Sequence, residues 1–142
     1  MSILRRRPLP DALARALEGF RRTLEPLERA KRALTDSVPS TRLPGRPLAE
    51  TLLEFEEGLR AARDRMPGWR TSELEGEWRA CADAIETALA GAERLRLEAE
   101  VPEGFEALIG TVGDLLAPLD AFERAGDRLR AQARRARRAR RA

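Results

Sequence analysis

"LPDALARALEGFRRTLEPLE", residues 9–28, decides the fold. Its apolar residues Leu13, Leu17, Phe20, Leu24 and Leu27 recur at alternating spacings of four and three, which places them along one stripe of a helix. Leu34 resumes the stripe after Lys31 takes the intervening place. The same rhythm runs through Leu48, Leu52, Phe55, Leu59, Ala62 and Met66, and again through Leu74, Trp78, Cys81, Ile85, Ala88, Ala92 and Leu95. A last segment carries Phe105, Ile109, Val112, Leu116 and Leu119, with Phe122 and Leu129 prolonging it.

Turn chemistry separates the segments: "SVPSTRLPGRP" at 37–47, "MPGWRTS" at 66–72 and "EVPEG" at 100–104. Ser72 and Glu75 have the spacing of a capping box, and Pro47 and Pro102 suit the first turn of a helix. Helices are therefore expected near 10–36, 47–66, 72–99 and 102–133. Amphipathic helices joined by short connections pack as an antiparallel four-helix bundle, an all-α fold, although a dimer of longer hairpins satisfies the same pattern. The expected organisation is a basic arm at 1–9, a bundle at 10–129 and a frayed arginine-rich tail at 130–142.

"VPEGFEALIGTVGDLLAPLD", residues 101–120, echoes the opening stretch: both begin apolar-Pro-acid, repeat proline sixteen residues on, and end Pro-Leu-acid. Pro26 and Pro118 thus interrupt continuous helical patterns, where proline removes a hydrogen bond to the carbonyl four residues earlier, at Arg22 and Asp114. Each is expected to kink its helix around the core, with a pocket at the kinks as the functional alternative. Gly104, Gly110 and Gly113 are expected to admit a neighbouring backbone, because helical glycine otherwise costs about 1 kcal/mol against alanine.

Composition narrows the chemistry. The chain has 142 residues, 42% hydrophobic and 36% charged, which fits one domain. It has no run of about 18 apolar residues to span a bilayer and no apolar segment after the basic start, so a cytoplasmic location is expected. Histidine and tyrosine are both lacking, which removes the commonest general base and the usual Ser-His, Cys-His and Glu-x-x-His constellations. No catalytic, metal or cofactor site is therefore assigned. The lone cysteine, Cys81, falls in a core stripe, where it is expected to behave as a small inert hydrophobe; a reactive thiol activated by Arg79 is the alternative.

Acidic clusters at Glu54, Glu56 and Glu57, at Glu73, Glu75 and Glu77, and at Glu98, Glu100, Glu103 and Glu106 read as solvated faces. Trp69 is expected to pack over the bundle end or to anchor a partner, and Trp78 to lie in the core. Lys31 either snorkels to solvent or serves as a depressed-pKa base in a cavity.

Charge is divided unevenly. Residues 128–142 hold eight arginines, Arg128, Arg130, Arg134, Arg135, Arg137, Arg138, Arg140 and Arg141, and no acid; the remainder has 19 basic against 24 acidic residues, a net of −5. Of the basic residues 26 are Arg and one is Lys, a bias that itself suggests a GC-rich genome. A helical continuation of the tail would set arginines around the axis with like charges three and four apart, hence the expected fraying. Three functions follow. The first is a non-enzymatic interaction or scaffold protein with a protein partner or self-association. The second is sequence-nonspecific binding of nucleic acid or another polyanion by the arginine tail, joined by Arg5, Arg6 and Arg7. The third is small-molecule binding or catalysis in the bundle near Lys31.

Overall fold

The alternating spacings do produce helices. The computed structural model describes residues 9–98 and 102–139, and among these it contains no strand. The helices are α1 (Asp11–Thr35), α2 (Leu48–Arg65), α3 (Glu75–Glu98), α4 (Phe105–Leu116) and α5 (Ala121–Ala139). Single 3-10 turns at Met66–Trp69 and Ser72–Leu74 link α2 to α3, and another at Ala117–Asp120 links α4 to α5. α1 packs along α2, α2 along α3 and α3 along α5, so the chain is an all-α bundle whose fourth rod is divided between α4 and α5.

The seam of α1 is rotated from the expected stripe. Its buried residues are Ala16, Phe20, Thr23, Pro26, Leu27, Ala30, Ala33 and Leu34, while Leu13, Leu17 and Leu24 are only half-buried along its edge. Small residues hold the seam because α1 and α2 approach closely. A Cβ added at Gly58 would lie 2.6 Å from the Ala30 Cβ, and one at Gly19 would collide with the Gly68 carbonyl. That second approach lets the Met66–Trp69 turn press its tryptophan inward. Trp69 is fully buried, edge-on to Phe20 with ring centroids 5.0 Å apart, and Phe20 in turn stacks on Phe122 at 6.3 Å. Trp78 is the peripheral one of the two. It is half-buried, donates from Nε1 to the Met66 carbonyl at 2.7 Å, and carries the Arg70 guanidinium over its ring at 4.1 Å.

The two helix-interrupting prolines have different outcomes. α1 runs continuously through Pro26, and the carbonyl of Arg22 that proline deprives of a partner accepts from Arg65 Nη1 at 2.9 Å. At Pro118 the helix is not merely kinked: it tightens into the Ala117–Asp120 turn and restarts at Ala121.

Two cap expectations are corrected. Ser72 and Glu75 form no capping box: Ser72 opens a 3-10 turn without a side-chain cap, and Glu75 accepts from Arg70 at 2.7 Å and Arg79 at 2.9 Å instead. Pro102 lies outside α4, which starts after Gly104 at φ 88°, a conformation that favours glycine. Gly104, Gly110 and Gly113 admit no neighbouring backbone, since a Cβ at any of them would meet nothing within 4 Å. On the same helix Phe105 and Ile109, expected in the core, are 54% and 44% exposed; Val112 is buried as expected, and Leu115 is buried where Leu116 was expected.

Candidate polyanion-binding end

α5 carries the predicted site residues, and its local pattern explains how. Its buried residues include Ala121, Phe122, Ala125, Leu129 and Ala133, with Ala136 half-buried one turn further, so spacings of three and four persist into the arginine-rich stretch. The alanines of "RAQARRARRARRA" are the continuation of the stripe. Residues 130–139 are consequently helix and not a frayed tail, and the arginines do not encircle the axis. At about 100° per residue, Arg130, Arg134 and Arg137 form one flank, Arg128, Gln132 and Arg135 the other, and Arg138 projects between them. Arg140 and Arg141 lie outside the described residues.

Many arginines of the body are held by carboxylates, although Arg15, Arg29, Arg32, Arg42, Arg94 and Arg124 have none within 4.0 Å among the described residues. Arg46 meets Glu54 at 2.6 Å, Arg21 meets Glu18 and Glu25 at 2.7 Å, and Arg60 meets Glu93 at 2.8 Å. The Arg21 hydrogen bond pulls the Glu18 carboxyl down to about 2, and Arg70 followed by Arg79 does the same to Glu75. On α5 the pairing is confined to its middle. Arg128 meets Glu77 at 3.7 Å and Arg130 meets Asp127, but among the described residues no carboxylate lies within 4.0 Å of Arg134, Arg135, Arg137 or Arg138.

The start of α1 and the end of α5 meet at one end of the bundle. A groove of 630 Å³ there has walls from Pro10 and Ala12 on one side, Arg128, Gln132, Arg135 and Ala136 on another, and Thr71, Ser72 and Glu73 on the third. Of the remaining lining residues Ala16 and Leu74 are buried and Leu13 is half-buried. Gln132 and Thr71 were not singled out from the sequence, and Ser72 was read only as a helix cap. Gln132 stands four residues after Arg128 and three before Arg135, a spacing that puts the three on one face.

The remaining sequence candidates sit elsewhere. Lys31 is displaced from the core by the rotated seam, 31% exposed, and its Nζ lies 3.6 Å from Glu28. It borders a 340 Å³ depression whose charges alternate in sign, with Arg130, Glu28, Glu123 and Asp127 around Phe122. Cys81 is fully buried, and burial pushes its thiol up to about 12, opposite to the shift that activation by Arg79 would require. Glu56 is not solvated surface. It is completely buried on α2, where both carboxylate oxygens accept from Arg96 of α3 at 2.8 and 3.0 Å, and Arg60 lies 3.6 Å away. Among the described residues no group of three or more potential ligands could hold a metal ion, and no helix is long and apolar enough to cross a membrane. No family model, curated protein or solved structure matches the chain.

Proposed function

We propose that this is a non-enzymatic interaction protein whose partner is a polyanion, nucleic acid in the first instance, bound by the arginine-bearing half of α5. The observation that carries this reading is the segregation of arginine from acid: four arginines within five residues of α5, Arg134, Arg135, Arg137 and Arg138, have no carboxylate within 4.0 Å among the described residues, whereas the body arginines that also lack one, such as Arg15, Arg29, Arg42 and Arg94, are scattered among acids. Codon bias accounts for arginine content but not for that segregation. The alanine stripe supports the reading further, because it fixes the arginines on a helix instead of leaving them on a random chain. An α-helix fits the major groove of duplex DNA, and lysines or arginines on it contact phosphates without reading sequence. Pro10 borders the same end, and Arg5, Arg6 and Arg7, which precede it in sequence, lie outside the described residues.

The test is anisotropy of labelled duplex DNA titrated with the intact chain and with a variant carrying Arg134→Glu, Arg137→Glu and Arg138→Glu. Intact protein should bind with a log–log salt slope of about −0.9 for each phosphate engaged, and the variant should bind at least about tenfold more weakly with a shallower slope. Equal affinity of the two proteins, or no binding by the intact chain at about 50 mM salt, overturns the reading.

A further inference from the structure

The end of α5 presents its arginines as a half-cylinder. At about 100° per residue, Arg137, Arg130, Arg134, Arg138, Arg135 and Arg128 follow one another around the half of the helix opposite its buried stripe, and all six are exposed. Arg137, Arg138 and Ala139 point in three directions about 100° apart and are exposed too, so the last turn stands clear of the bundle. Acids bound this surface on one side only. Glu123 and Asp127 lie on the same face nearer the start of α5, and residues 128–139 contain none. No stacking platform accompanies the arginines. Phe20, Phe55, Trp69 and Phe122 are buried, Trp78 is half-buried beneath Arg70, and the exposed aromatic, Phe105, is on α4. Proteins that grip single strands stack bases on exposed aromatic rings, which this surface lacks.

Resting on the polyanion reading, we propose that the partner is B-form duplex DNA and that the last turns of α5 lie in its major groove. Arg134 and Arg137 meet phosphates of one strand, Arg135 meets those of the other, and Arg138 points to the groove floor. A helix with its side chains is about 10–12 Å across and the B-form major groove about 12 Å wide, so flanks about 160° apart face the two walls. Arg128 and Arg130 stand at the mouth of the groove, where Glu77 and Asp127 already share them. Asp127 and Glu123 set the limit of insertion, because phosphates repel them. An A-form RNA duplex carries the same phosphates but has a deep, narrow major groove that excludes the helix.

The test is displacement of a labelled DNA duplex from the intact chain by unlabelled DNA duplex, RNA duplex of the same sequence and single-stranded DNA, at one salt concentration. The DNA duplex should compete at least about tenfold better than the RNA duplex, a preference that attraction to phosphate charge alone does not give. In the complex, dimethyl sulfate should find guanine N7, in the major groove, protected and adenine N3, in the minor groove, still reactive. Ala136→Pro breaks the last turn and keeps every charge: it should weaken DNA-duplex binding about tenfold and leave RNA-duplex binding unchanged. Asp127→Asn lengthens the acid-free face and should tighten DNA binding. Equal competition by the RNA duplex, protection of adenine N3 in place of guanine N7, or undiminished DNA affinity in Ala136→Pro each overturn the major-groove proposal and leave the polyanion reading standing. Failure of the intact chain to bind any of the three nucleic acids overturns both.

Discussion

Residues 9–28 and 101–120 carry the same pattern of proline, acid and apolar spacing, yet they become different structures. The first is the opening of a continuous helix, clamped along α2 and the Met66–Trp69 turn. The second gives a twelve-residue helix that ends at a 3-10 turn and leaves two large apolar side chains in solvent. The difference lies in what faces them. Pro26 is tolerated because Arg65, forty-three positions on, donates to the carbonyl that proline orphaned. Gly19 is a packing device because Gly68 presses on it, whereas Gly110 faces open space. A sequence pattern states what a segment is able to bury; its neighbours decide whether it does.

The sharpest way to break this comparison is at the aromatic residues. Phe20→Ala removes a ring packed on Trp69 and Phe122 and should cost about 3–5 kcal/mol, whereas Phe105→Ala should stay within about 0.5 kcal/mol by urea denaturation. Equal losses would mean that Phe105 is buried in solution. The glycines should part in sign. Gly19→Ala forces α1 away from the Met66–Trp69 turn and should cost about 1–3 kcal/mol or more, while Gly110→Ala should gain about 1 kcal/mol from helix propensity alone.

Arg65→Ala should cost less, about 0.5–1 kcal/mol, because the Arg22 carbonyl it leaves is exposed and water replaces the guanidinium. A larger loss in thermal unfolding would show that this hydrogen bond is what keeps α1 continuous at Pro26. The smallest effect is that of acid. Glu18 and Glu75 have folded-state values depressed from 4.5 to about 2, so their contribution is present above 4.5 and is lost as pH falls from there through about 2. Glu18 is exposed and Glu75 about one-third so, hence the fall in melting temperature should be slight and flattened by salt; a steep fall persisting in high salt would show that these two ion pairs are not what acid disrupts.

Much of the fold was legible. The α2 stripe stands almost as read, with Leu52, Phe55, Leu59, Ala62 and Met66 all buried. Where the reading slipped, small or polar residues occupied the seam. On α1, weighting by large side chains favoured Leu13, Leu17 and Leu24 over Ala16, Thr23 and Ala30, and so placed Lys31 in the core. On α5 the same habit hid Ala133 and Ala136 among arginines and turned a helix into an expected fray. Glu56 was grouped with its acidic neighbours, although it lies four residues after Leu52 and three before Leu59, squarely on the stripe. Its partner Arg96 is forty positions away, a pairing that periodicity does not reveal.

By itself the sequence determined the helices, their approximate ends and the run of arginine without acid at the end of the chain, because these follow from local spacing and composition. Only the tertiary structure decided which face of each helix is inside, which proline breaks its helix, and that the first and last helices meet around a groove. Those outcomes depend on contacts between residues far apart in the chain, where a single donor or a missing Cβ on one segment settles the fate of another.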